Sequence, residues 1–304
     1  MSEMSVIRLT DVSKNFGSFA ALQSISLEVK KGEIVGFVGA NGAGKTTTIS
    51  TMLGFIHVSS GEVKLFNQKI TPTNAHTSHK RIGYAAGDMQ LPSGLTGKKF
   101  LDFVLYQNGG KKHLETFDDL CHRFKPQLDK KIGELSRGNK QKIALISAFM
   151  TKPELIILDE PTSGLDPVMQ EVFLALIRET AAEDRTIFMS SHYLNEVADV
   201  CTRVILMRNG KIIEDVLAKE LLEKSGKQIR IVTGYKATQP PKQATDVVVK
   251  KENDLTVISF AYKGDMAELQ VWLSGVKQLQ DVEISEYNLE SAFEGMYEQT
   301  EVTQ

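Results

Sequence analysis

One stretch limits what this chain can fold into more than any other: Gly39-Ala40-Asn41-Gly42-Ala43-Gly44-Lys45-Thr46-Thr47. It follows an apolar run, Ile34-Val35-Gly36-Phe37-Val38, whose length and flanking glycines suit a buried parallel strand. It leads into Thr48-Ile49-Ser50-Thr51-Met52-Leu53, which reads as a helix. Strand, glycine-rich loop and helix, in that order, make a phosphate cradle. Glycines let the backbone curl with its N–H groups inward, and the positive end of the helix adds to the field. Gly39, Asn41, Gly42, Ala43, Gly44, Lys45, Thr46 and Thr47 are therefore candidate polyphosphate ligands. The G-x-x-x-x-G-K-T spacing assigns Lys45 to the β- and γ-phosphates of a nucleotide and the Thr46 hydroxyl to Mg²⁺.

The rest of the chain is read around that cradle. Upstream, Val6-Ile7-Arg8-Leu9 and the alternating Leu22 to Val29 are strand candidates; downstream, Gly61 to Phe66 alternates again, so an antiparallel layer is expected beside the nucleotide core. Phe16, on that layer, is a candidate to stack on a base, since every base offers a π-face. Arg81 to Gln90 reads as a strand running into a loop, and Gly97 to Phe124 as helical. The pairs Lys98-Lys99 and Lys111-Lys112 read as a solvated face. Ser136 is placed to cap the helix that runs to Met150. Leu155-Ile156-Ile157-Leu158 then reads as a buried strand delivering two carboxylates, Asp159 and Glu160, at its carboxyl end. Asp159 is a candidate metal ligand. Glu160, turned the other way by strand alternation, is a candidate to orient an attacking water. His192 ends a further strand, Thr186 to Ser190, and is a candidate γ-phosphate sensor. Val204 to Arg208 and Lys211 to Glu214 flank Asn209-Gly210, a hairpin signal. Composition shifts near Gly226, and no catalytic constellation follows Glu214.

Composition excludes several classes. The formal net charge of −2 and the 24% of charged residues recruit neither nucleic acid nor an anionic membrane through a global field. The two cysteines, Cys121 and Cys201, have no paired spacing; they read as small buried hydrophobes in a reducing compartment. No apolar run reaches membrane-spanning length and no secretory signal opens the sequence.

Taken together, these stretches resemble the ATP-binding-cassette family over roughly residues 4–218. Gly39 to Thr46 looks like the Walker A loop, Leu155 to Glu160 like the Walker B strand with its catalytic glutamate, Ser163 to Asp166 like the D-loop and His192 like the switch histidine. Leu135 to Gln141 resembles the signature motif, and Phe16 falls at the adenine-stacking aromatic. The resemblance implies an α/β P-loop NTPase fold with a RecA-like core, an antiparallel β-subdomain and a helical subdomain at about 90–150; beyond it, the composition shift near Gly226 and the strand and helix patterns that follow mark a small α+β accessory or regulatory C-terminal module over 226–304. The resemblance implies ATP and Mg²⁺ as cofactors, with Thr46 and Asp159 on the metal and Lys45, Glu160 and His192 in catalysis. Because the family holds each ATP between the Walker A of one cassette and the signature of another, Ser136, Gly138 and Asp166 are expected to serve a second chain's site. A homodimer, or a heterodimer with a related cassette, is expected on ATP binding.

A further likeness, to ATPase subunits of bacterial ABC-2-type exporters, rests on Gly164-Leu165-Asp166-Pro167, the Ser-Ser-His-Tyr-Leu-Asn-Glu-Val run and the ending Asn288-Leu289-Glu290-Ser291-Ala292-Phe293. It implies a cytoplasmic subunit, peripheral at the inner face of the cell membrane, that powers a separately encoded permease; no nucleic acid is expected. Two positions depart from the pattern. Arg137 and Asn139 replace a Gly and the Gln of Leu-Ser-Gly-Gly-Gln. Gly87 stands where the family normally has a metal-touching Gln, for which Asp88 or Gln90 could substitute. A non-transport regulatory or assembly ATPase of low turnover is the alternative reading. A ribosome- or nucleic-acid-directed cassette would show paired cassettes or a coiled-coil insertion, and the sequence has neither.

Overall fold

The computed structural model describes residues 5–192, 197, 200–220, 226–235, 238–252 and 255–286. The chain divides into two compact units, Met1–Leu217 and Ala218–Gln304. In the first, β1 (Ser5–Phe16) and β2 (Phe19–Lys30) form a long antiparallel pair. β3 (Ile34–Val38) follows, wholly buried, and α1 (Lys45–Met52) leaves it through the glycine-rich loop. β4 (Ser60–Leu65) and the two-residue β5 (Gln68–Lys69) return beside β1 and complete a sheet of order β2-β1-β4-β5. One buried cluster joins Ile7, Leu9, Ile25 and Val63 of that sheet to Val35 and Phe37 of β3 and to Ile49 and Met52 of α1. The loop is thus anchored at both ends in core.

A short α2 (His76–His79) precedes β6 (Ile82–Ala86), then come α3 (Gly97–Gln107), α4 (Leu114–Phe124) and α5 (Arg137–Phe149). The helical stretch expected over 97–124 is therefore two helices. It breaks where Gly109 and Gly110 take left-handed φ values of 99° and 57°, which a right-handed helix cannot contain. α5 lies directly on the core: a Cβ on Gly83 of β6 would stand 2.0 Å from the Ala148 carbonyl oxygen. β7 (Leu155–Asp159), α6 (Pro167–Ala182), β8 (Thr186–Ser191), β9 (Arg203–Arg208) and β10 (Lys211–Leu217) complete the unit. The larger sheet has the order β10-β9-β3-β8-β7-β6, parallel except for β10. β10 joins β9 by a two-residue turn in which Asn209 and Gly210 both take positive φ, 49° and 74°, matching the twist of the strands. β3, β7 and β8 are buried along their whole length, which is why their sequences run apolar without alternation. Their carboxyl ends open on one edge of the sheet.

The second unit is a four-stranded antiparallel sheet, β11 (Lys227–Thr233), β12 (Ala244–Glu252), β13 (Leu255–Tyr262) and β14 (Leu279–Glu286) in the order β12-β13-β11-β14, with α7 (Met266–Gly275) between β13 and β14 in sequence. It has its own core of Ile229, Ile231, Ile258, Phe260, Tyr262 and Leu269. The 288–293 ending lies outside the described residues.

Candidate functional site

The glycine-rich loop delivers α1 uncapped. Gly44 stands at the N-cap with φ 112° and no side-chain hydrogen bond, so the first amides of the helix are left for another acceptor. A Cβ on Gly44 would lie 2.7 Å from Met207 Cε and 2.8 Å from the Ala21 carbonyl oxygen, so no other residue fits there. Those amides and the left-handed Gly42, at φ 81°, suit a bound anion. Asn41 and Thr46 are exposed, Ala43 is buried and Thr47 half-buried. Lys45 folds back across the loop, donating from Nζ to the carbonyl oxygens of Gly39 at 2.7 Å and Ala40 at 3.2 Å. Its ammonium is buried and lies 3.5 Å from Glu160 Oε1.

Thr46 hydrogen-bonds Asp159 at the end of β7, and Ser190 Oγ of β8 donates to Asp159 Oδ1 at 2.5 Å. Burial pushes the Asp159 carboxyl above the usual carboxylate range, against those two hydrogen bonds, which favour its charged form. Oxygen donors of this kind, a carboxylate and a hydroxyl, suit a hard divalent cation.

Glu160 lies outside β7, so strand alternation does not set the direction of its side chain. It lies one residue beyond β7 in the left-handed region, φ 50°, with its N–H shared between Ser190 O at 3.2 Å and Ser190 Oγ at 3.0 Å. Such a conformation costs a non-glycine residue about 1–3 kcal/mol and persists only where neighbours hold it. Its effect is to set the carboxylate between Lys45 and His192, whose Nδ1 is 3.8 Å from Glu160 Oε2. Lys45, Thr46, Asp159, Glu160 and His192 thus converge from the ends of β3, β7 and β8.

The remaining candidates stand outside that cluster. Phe16 ends β1 about half exposed, with Lys14 Nζ 4.8 Å from the centre of its ring. Ser136 caps α5, accepting from Asn139 N at 3.4 Å, and Gly138 sits in the first turn of that helix. Asp166 caps α6, accepting from Met169 N at 3.0 Å. Cys201 is buried as expected, but Cys121, on α4, is only half-buried.

Ser190 and Gln141 escaped the sequence reading. Ser190 faces Asp159 only through the β7–β8 register, and Gln141, buried, donates from Nε2 to the Pro161 carbonyl oxygen at 2.8 Å. A polar residue closing an apolar strand was the available signal for the first; nothing local marks the second.

The model of the ABC transporter family matches residues 22–163. The uncharacterised ABC transporter ATP-binding protein YcbN of Bacillus subtilis is 30% identical over 263 residues, 83% of this chain and 80% of its own. The bacitracin transport ATP-binding protein BcrA of Bacillus licheniformis is 33% identical over 228 residues, 74% of each chain. Among solved structures, cbiO1 from Clostridium perfringens, part of the ABC transporter complex cbiONQ, superposes with a TM-score of 0.61 at 27% identity, covering 72% of this chain and 91% of its own. An ATP-binding subunit of an ABC transporter superposes with a TM-score of 0.66 at 25% identity, covering 72% and 92%.

Proposed function

The chain belongs to the ABC transporter family of ATP-binding proteins, and from that premise we propose that it is the ATP-hydrolysing subunit of an exporter, driving a separately encoded permease through a two-chain ATP sandwich. The observation that carries this reading is the convergence of Lys45, Thr46, Asp159, Glu160 and His192 beside the uncapped start of α1. In this role Lys45 gives up the carbonyls of Gly39 and Ala40 for the phosphates of ATP. Thr46 and Asp159 supply two oxygen ligands to Mg²⁺, which when bound offsets phosphate charge. Glu160 accepts the proton of the attacking water, and His192 contacts the γ-phosphate. Phe16 stacks on the adenine.

Ser136, Gly138 and Asp166 lie outside this cluster, which supports their use in a second chain's site and hence a dimer. A relative named for bacitracin transport supports a transport role, and the cbiO1 neighbour, part of a larger complex, supports a membrane partner. No helix among the described residues is long and apolar enough to cross a membrane. As an exporter's ATPase subunit it would act at the inner face of the cell membrane, docked on its permease.

Glu160→Gln tests the reading. The amide keeps the shape of the carboxylate but cannot take a proton, so ATP binding should survive while hydrolysis stops and the dimer persists. Sedimentation with Mg²⁺–ATP should show a dimer for Glu160→Gln and a monomer once Ser136→Arg is added. Monomers in both samples, or undiminished hydrolysis, would sink the composite site.

The second reading, a regulatory or assembly ATPase of low turnover, is favoured by one observation. A Cβ on Gly87 would lie 2.7 Å from the Glu160 carbonyl oxygen and 2.9 Å from Ser163 Cβ, so no side chain can stand where the family places its Gln. Steady hydrolysis measured with and without membranes separates the two: stimulation by membranes belongs only to the transporter.

A further inference from the structure

The turn that carries Glu160 is gripped from two sides. On one, the Gly87 amide donates to the Asp159 carbonyl oxygen at 2.8 Å, and the missing side chain lets that backbone pack against Glu160 and Ser163. On the other, three residues in the first turns of α5 close on residues 161–164. Gln141 holds the Pro161 carbonyl. A Cβ on Gly138 would lie 2.6 Å from the Gly164 carbonyl oxygen, so the helix backbone abuts the turn. Arg137 Nη2 donates to Ser163 Oγ at 2.6 Å, and the Arg137 stem runs alongside Gly164. Inside the turn, Ser163 N donates to Glu160 O at 3.1 Å, so a pull on Ser163 is a pull on the residue whose left-handed backbone sets its carboxylate between Lys45 and His192.

We propose that Arg137 is a positioning residue: through Ser163 it holds Glu160 in its left-handed conformation, with the carboxylate between Lys45 and His192, so that the start of α5 governs the hydrolytic carboxylate of its own chain. Arg137 replaces a glycine of the usual signature, and glycine has no side chain with which to make this link. The proposal rests on the ATP-hydrolysis reading above and deepens it. The neighbour of Arg137, Ser136, is the residue assigned to the opposite chain's nucleotide. Occupation of one site would then be felt at the Glu160 of the other through two adjacent residues of one helix turn. A guanidinium reaches Ser163 from α5, and a lysine ammonium, on a similar stem, can also donate to the hydroxyl.

Three variants of the full chain test this: Arg137→Met, which keeps the stem and removes every donor, Arg137→Lys, and Ser163→Ala. Steady-state hydrolysis of Mg²⁺–ATP should show kcat lower by about tenfold in Arg137→Met and in Ser163→Ala, as expected for loss of one charge-assisted hydrogen bond that orients a catalytic group. KM should stay within about twofold, because ground-state binding is untouched. Arg137→Lys should recover most of the rate. The double variant Arg137→Met with Ser163→Ala should be no slower than either single, since both remove the same link. Hydrogen exchange of the nucleotide-free protein supplies a reading that needs no turnover: the Ser163 and Leu165 amides, which close the turn, should exchange faster in Arg137→Met. Wild-type kcat in Arg137→Met, multiplied losses in the double variant, or a raised KM at constant kcat would overturn the proposal. If the wild-type chain hydrolyses no ATP at all, the hydrolysis reading fails by itself, and unchanged exchange in Arg137→Met then refutes the grip.

Discussion

Lys45 shows how much of this site lies in single contacts. Its ammonium is buried and satisfied by two loop carbonyls, which it must exchange for phosphate oxygens to serve ATP. Lys45→Ala should cost ATP binding about 1.5–3 kcal/mol for each hydrogen bond to phosphate that is lost, which titration calorimetry would read as roughly ten- to a hundredfold per bond. Phe16→Ala should cost about 1–3 kcal/mol of stacking; unchanged ATP affinity would make the ring a surface residue of β1 and nothing more. The two thiols should be silent. Burial pushes Cys121 up to about 11 and raises Cys201 further still, so on the order of 0.1% or less of either is thiolate at pH 8. Ellman's reagent at that pH should react with the native chain slowly and with both cysteines at once in denaturant. A rapid stoichiometric reaction in the native state would contradict the packing around α4 and Cys201.

At the scale of elements, what could be read ahead of the structure followed from local physics. The buried strands β3, β7 and β8 announced themselves as unbroken apolar runs, and Asn209-Gly210 announced its hairpin, because both signals lie within a few residues. The break between α3 and α4 lies in Gly109-Gly110, whose signal is weaker than the helical spacing of apolar residues around it. The strand ends that carry Asp159 and His192, and the loop that carries Lys45, were legible in the sequence. The conformation of Glu160 was not, since it depends on Ser190 and on Gly87, residues from two other strand ends that meet it only when the sheet is assembled. The same holds for Gln141 and the α5 contacts. Gly83 gives a direct check on how closely α5 sits on β6. A methyl group there would collide with the Ala148 carbonyl, and since backbone cannot yield as a side chain can, Gly83→Ala should destabilise the first unit by about 1–3 kcal/mol or more in urea unfolding. A neutral substitution would mean that the helix can lift off the strand at little cost.

For the molecule as a whole, each unit has its own buried cluster, and the residues assigned to nucleotide all fall before Leu217. A chain ending at Leu217 should therefore fold and keep the ATP affinity of the full chain, as judged by calorimetry; loss of binding in a soluble, folded truncation would show that the second unit props up the site. The order of strands in the large sheet has a consequence for how such a protein comes into being. β3, which carries the phosphate loop, has as its two neighbours β8 and β9, so that Gly36 meets Met189 on one side and Val204 on the other. On a ribosome, β3 emerges with neither partner yet made, and about 150 further residues, roughly 8–30 s of synthesis, must follow before it can enter a sheet. During that interval Ile34 to Val38 is an unpaired apolar segment of the kind that holding chaperones bind, and the nascent chain has no rigid loop to offer a nucleotide. ATP can therefore reward only the finished sheet and cannot nucleate it, however abundant it is in the cell.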